Sequence, residues 1–169
     1  MLEDDVRTPP LSRVGEAILF PVTDGSNKIV APWVRVGQVD DWSFAIEPAS
    51  WMGMQEGVAQ RLSEGTESFV LEWTAKPTYQ FGYCVDGDGA LWFDIGMPWY
   101  RDGGDPDRLL NEMRQVGMET EPPSPPRPRR PNRVLHALAL VTIATGLLVP
   151  ESVAHGPLLT CQRRPSSPG

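Results

Sequence analysis

Histidine, cysteine and lysine are all scarce in this 169-residue chain, which holds two histidines, two cysteines and only two lysines among fifteen basic residues. Each scarcity excludes something. The histidines, His136 and His155, lie on an apolar run and near the tail, away from any nucleophile elbow, so a Ser-His-Asp hydrolase finds no base. Cys84 and Cys161 lack the paired spacing of a zinc site or a disulfide framework, and a reducing cytosol suits them best. Lysine is also missing from Asp86-Gly87-Asp88-Gly89, as is the helix that follows a phosphate-cradling loop, so this stretch reads as a hairpin turn. It fails as a calcium loop too, because Ala90 and Trp92 fall where oxygen ligands are needed. No metal and no cofactor is expected. The preference for arginine over lysine reads as a GC-rich coding sequence rather than as chemistry.

What is present is proline, acid and aromatic side chains. Six of the eighteen prolines fall between Pro122 and Pro131, a density that no packed helix or sheet accommodates. The formal net charge of −7 is divided unevenly: residues 1–121 carry 21 acids against 9 bases, and residues 122–169 carry 1 acid against 6 bases. An acidic body repels a phosphate backbone, and the tail arginines have no aromatic residues among them for base stacking, so nucleic acid is not an expected partner. The start, Met1-Leu2-Glu3-Asp4-Asp5, lacks the positive charge and apolar run of an export signal, and the expected location is cytoplasmic.

Hydropathy patterning predicts an α+β protein: an antiparallel sheet of about five to six strands with two to four helices packed mainly on one face. Ala17 to Val22 and Ile29 to Val39 read as strands joined by Asp24-Gly25-Ser26-Asn27. Trp42, Phe44 and Ile46 alternate on one side of a further strand that Pro48 ends. The clearest antiparallel signal comes from Phe69, Leu71 and Trp73, then Tyr79, Phe81, Tyr83 and Val85, then Leu91, Phe93 and Ile95. Gln55 to Leu62 has helical spacing. Asp105 to Gly117 reads as a punctuated helix, with Asp105 as cap, Pro106 in the first turn, a stripe of Leu109, Leu110, Met113 and Val116, and Gly117 as stop. The domain organisation that follows is a main body over 1–121, a proline- and arginine-rich linker over 122–132, a C-terminal helical segment over 133–161 docked on the body, and a disordered tail over 162–169.

Val134 to Val149 is apolar almost throughout and follows a basic segment, the flank expected of a transmembrane helix. It is short of the roughly 20 residues that a bilayer requires, contains His136 and two threonines, and is broken by Gly146 and Pro150. A core helix is the better reading, with a membrane anchor as the alternative.

Two groups of residues compete as a site. Trp51, Trp99 and Tyr100, with Arg101 beside them, are the binding candidates, because aromatic side chains in loops bury much area at small entropic cost and arginines often join them. The competing explanation is that these large side chains simply fill a small core. Glu47, Glu72 and Asp94 form the enzyme alternative, a carboxylate pair for acid-base work. Neither group assigns an activity, and the best reading is a non-catalytic module whose partner is another protein, of the immunity type, since acidic surfaces suit basic partners.

The tryptophan strand ending in Glu47, the LSEGTES stretch, the YCVDG hairpin at Tyr83 to Gly87, the DPDRLL helix start and the TG-to-PLLTC ending occur in one order. In that order they resemble an actinomycete family of uncharacterised proteins catalogued as domain of unknown function 6461. The resemblance implies a compact α+β domain, supports a domain helix over Val134 to Thr145, and assigns no activity. The proline-rich linker and the QRRPSSPG end look like local divergence from it.

Overall fold

The computed structural model describes residues 33–47, 52–55, 57–73, 79–125, 133–154 and 156–162. The expected strand at Ala17 to Val22 and its turn lie outside these residues. Among them are seven strands and four short or medium helices, and every strand pairing is antiparallel. The protein is therefore α+β, with its strands divided between a three-stranded and a four-stranded sheet. The chain forms two compact units: Met52–Leu147 is one, and the described residues before and after it belong to the other.

In the split unit, β1 (Trp33–Val39) is the central strand between β2 (Trp42–Ile46) and β7 (Leu159–Gln162). Asp40 takes a positive φ of 51° in the two-residue turn between β1 and β2. β2 alternates as its sequence requires, with Trp42, Phe44 and Ile46 half-buried and Ser43 and Ala45 exposed. Its register sets Ile46 opposite Arg35 and Phe44 opposite Gly37, so Arg35 is carried onto the inner face and is fully buried. β7 is not signalled by the sequence; four residues after Pro157 become a strand because β1 offers them a ladder, Arg35 facing Thr160. Ahead of β7, Glu151–Ala154 forms the short helix α4 directly after Pro150.

The continuous unit is built on the meander β3 (Glu67–Trp73), β4 (Tyr79–Val85), β5 (Asp88–Asp94) and β6 (Arg101–Asp102). Asp86 and Gly87 join β4 to β5 with φ values of 51° and 87°, the two positive dihedrals that a tight type I′ hairpin demands. Cross-strand rings stack on one face: Phe69 on Tyr83 at 4.4 Å between centroids, and Phe81 on Phe93 at 4.8 Å. A bulge follows, because Tyr83 pairs with Leu91 but Cys84 with Gly89, leaving Ala90 as the extra residue.

Two helices close this face. Leu109, Met113 and Met118 come from around α2 (Leu110–Gln115), and Ala137 and Leu140 from α3 (Arg133–Thr145); all five are buried with Phe81, Tyr83, Leu91 and Phe93 in one cluster. α1 (Val58–Leu62) packs on the opposite face, where the Ser68 hydroxyl donates to the Ala59 carbonyl at 2.8 Å and the Gly87 amide to the Ser63 hydroxyl at 3.0 Å. α2 starts five residues after the expected cap. The Asp105 amide donates to the Ala90 carbonyl at 2.9 Å, tying it to the sheet edge, and residues 106–109 wind turns, with the Arg108 amide donating to the Asp105 carbonyl at 3.1 Å, before the helix begins. Its end is as expected: Gly117 donates to Arg114 and Met118 to Met113, a Schellman pair that folds Met118 back onto the core.

Candidate functional site

The aromatic candidates lie on the connection from β5 to β6. Asp94 accepts a hydrogen bond from the Gly96 amide at 2.6 Å, Met97 donates back to the Asp94 carbonyl at 2.8 Å, and Tyr100 donates to the Met97 carbonyl at 2.9 Å. These bonds wind two successive turns before the chain rejoins the sheet at Arg101, opposite Phe93. Pro98 is buried within the bend, Trp99 is half-buried, and Tyr100 stands 71% exposed. The two rings are 6.1 Å apart and inclined at 53°, and exposed Met97 extends the apolar surface.

Two arginines hold this bend. Arg101 keeps 13% of its side chain exposed; Nη1 donates to the carbonyls of Thr120 at 2.9 Å and Pro98 at 3.4 Å, while Nε and Nη2 both reach Asp107 Oδ1 at 2.7 Å. Arg133, at the start of α3, donates to the Gly96 carbonyl at 2.9 Å. Arg101 thus supports the aromatic pair from beneath. Its partners Asp107 and Thr120 were not legible in the sequence, since nothing in local spacing relates position 101 to position 120. Trp51 lies outside the described residues.

The electrostatic surroundings are acidic. Asp102 and Asp105 are exposed on the segment that follows Tyr100, and Asp107 is exposed beyond its pairing with Arg101. Behind the bend, Trp99, Met118, Glu119, Arg133 and His136 line a small, half-open pocket with room for water.

Of the carboxylate candidates, Glu47 belongs to the split unit, while in the continuous unit the registers Glu72 to Gln80 and Gln80 to Asp94 put Glu72 and Asp94 two strands apart, roughly 10 Å at the backbone. Asp94 is further occupied in capping the Gly96 amide. Tyr83 is held in a polar contact of its own, its hydroxyl donating to Glu67 Oε2 at 2.6 Å under the Arg108 guanidinium, 5.7 Å from the ring centre. Burial, and then the Glu67 carboxylate, push the Tyr83 hydroxyl above its ordinary pKa, and burial does the same to the Cys84 thiol, which favours its unreactive protonated form. Among the described residues no cluster of three metal-ligating side chains occurs, and no helix is long and apolar enough to cross a membrane.

A family model described as "Family of unknown function (DUF6461)" matches residues 15–162. No curated protein and no solved structure matches the chain.

Proposed function

The chain belongs to the DUF6461 family of unknown function, and we propose that it is a non-catalytic cytoplasmic module that binds another protein through the Trp99–Tyr100 bend. The observation that carries this reading is an exposed tyrosine on a bend tied down at Gly96, Pro98 and Thr120 by two arginines. A large ring with only two side-chain torsions, carried on backbone already tied down, loses little freedom on binding, which is the property of an interface anchor. Asp102 and Asp105 supply an acidic rim, so the partner offers an apolar recess bordered by basic side chains. Such a partner suits an immunity-type role, in which a small acidic protein covers the working surface of a basic toxin. The unpaired Cys84 thiol suits a reducing compartment.

The test is capture from a lysate of the source cells with three immobilised full-length chains: wild type, Tyr100→Ala and a control with an exposed substitution elsewhere, Leu62→Ser. The reading requires a stoichiometric partner on wild type and control that Tyr100→Ala loses by at least tenfold. A partner retained equally by all three chains, or none on any, removes this surface from consideration.

A further inference from the structure

The inner face of the three-stranded sheet carries two buried polar side chains directly opposite one another, Arg35 on β1 and Thr160 on β7. Arg35 is 0% exposed and Thr160 3% exposed. The guanidinium makes one bond, from Nη2 to the Gly156 carbonyl at 2.8 Å, and among the described residues its Nε and Nη1 have no acceptor. Thr160 spends its hydroxyl on the Leu158 carbonyl at 3.2 Å, a long local contact that a side-chain rotation releases. A buried guanidinium with two donors unanswered is the costliest polar arrangement in the described fold, and natural cores retain such groups where an anion answers them.

We infer that Arg35 and Thr160 are the paired donors of an oxyanion-binding site, taking a phosphate or carboxylate group between strand β1 and the segment that precedes β7. Directly opposed residues on one sheet face have their Cβ atoms about 5 Å apart, and both polar ends lie against the segment before β7, the guanidinium at the Gly156 carbonyl and the hydroxyl at the Leu158 carbonyl. The guanidinium fork matches the planar oxygens of a carboxylate or two oxygens of a phosphate. Among the described residues, 156–158 lie against this face: the Gly156 carbonyl takes the Arg35 bond, Pro157 is exposed and Leu158 is half-buried over Gly37. The Gly156 carbonyl is the acceptor that an incoming oxyanion displaces. Ile46 and Phe44 wall the site on the β2 side with apolar surface, which strengthens an ionic contact by excluding water.

The experiment is thermal unfolding of the full chain in rising inorganic phosphate and, separately, acetate, with chloride balancing the ionic strength. The wild type is expected to rise saturably by about 5 °C at a hundredfold excess over Kd with at least one of the two, and Arg35→Met by none. Phosphate alone succeeding identifies a phosphate site, and acetate alone a carboxylate site. Equal rises in both proteins mean general stabilisation by exclusion of the salt from the protein surface and overturn the inference, as does no rise in the wild type. Should Arg35→Met not fold, the arginine Nε–H resonances of the ¹⁵N-labelled wild type decide: a buried Nε–H signal that shifts saturably with the anion supports the site, and one that stays fixed overturns it.

Discussion

Trp92 lies across Gly82, its register partner on the neighbouring strand, so closely that a methyl group on Gly82 would overlap the indole ring. The absence of a side chain at Gly82 is therefore what lets Trp92 lie flat on β4. Gly82→Ala should cost about 1–3 kcal/mol by forcing the indole off its rotamer. Trp92→Leu in the same chain should recover part of that loss, with a coupling of about 0.5–3 kcal/mol in a double-mutant cycle. Urea unfolding of the four proteins measures it, and simple additivity would show that the two positions are not in contact.

Tyr83 supplies a prediction in pH. Its hydroxyl is buried and bonded to Glu67, and both effects favour the protonated form in the fold. The unfolded chain releases this proton from about pH 10 while the folded chain holds it, so the unfolded state binds fewer protons there and stability falls as pH rises. The contribution is complete below pH 10 and is lost on passing upward through the folded pKa. Tyr83→Phe should cost about 1 kcal/mol at pH 7 and show a weaker alkaline loss than wild type, read from denaturant midpoints between pH 8 and 11. Parallel alkaline curves would place the titrating group elsewhere.

How much of this was legible in advance depends on whether a residue's surroundings lie close in sequence. The β4–β5 hairpin was readable because Tyr79, Phe81 and Tyr83 alternate up to a turn whose residues accept positive φ. The core role of Val134 to Thr145 was readable from its short length and from the His136, threonine, Gly146 and Pro150 interruptions. Arg35 was not. The run WVRVGQV sets Val34 and Val36 on one side and Arg35 with Gly37 on the other, which suggests the arginine side as the wet one. The register with β2 decides otherwise, because Trp42, Phe44 and Ile46 point inward and carry their opposite numbers with them. Likewise the aromatic pair at Trp99 and Tyr100 stood out by composition, but the supporting role of Arg101 depends on Thr120 and Asp107, which tertiary folding alone brings near.

That division of labour within the bend is itself testable. Tyr100 projects outward, so Tyr100→Ala should leave stability within about 0.5 kcal/mol of wild type. Arg101→Met should cost about 1–3 kcal/mol, since it removes the bonds to Thr120 and Pro98. Equal effects of the two substitutions in thermal unfolding would mean that the ring, too, is part of the core.

Arg35→Met reverses the usual sign for a buried substitution. The guanidinium pays for desolvation with one hydrogen bond, whereas a methionine of similar length loses nothing polar, so in chloride buffer without phosphate or carboxylate the variant should match or exceed wild type by about 1–4 kcal/mol. A loss of several kcal/mol would show instead that the bond to Gly156 holds the β7 end of the unit in place.

The helix Arg133–Thr145 separates a core role from an anchoring one by its two faces. Ala137 and Leu140 are fully buried against the aromatic face of the sheet, while Leu135, Leu138 and Ile143 are 58%, 47% and 40% exposed. A lipid anchor would depend on apolar residues all round, and a docked helix only on one stripe. Leu140→Ala should therefore cost about 2–5 kcal/mol, the transfer of the side chain plus the cavity it leaves. Leu138→Ala, two residues earlier, should cost no more than about 0.5 kcal/mol. Chemical denaturation of both variants gives the comparison: a large difference assigns the stripe through Leu140 to the core, and comparable losses would mean that the outer stripe is covered as well.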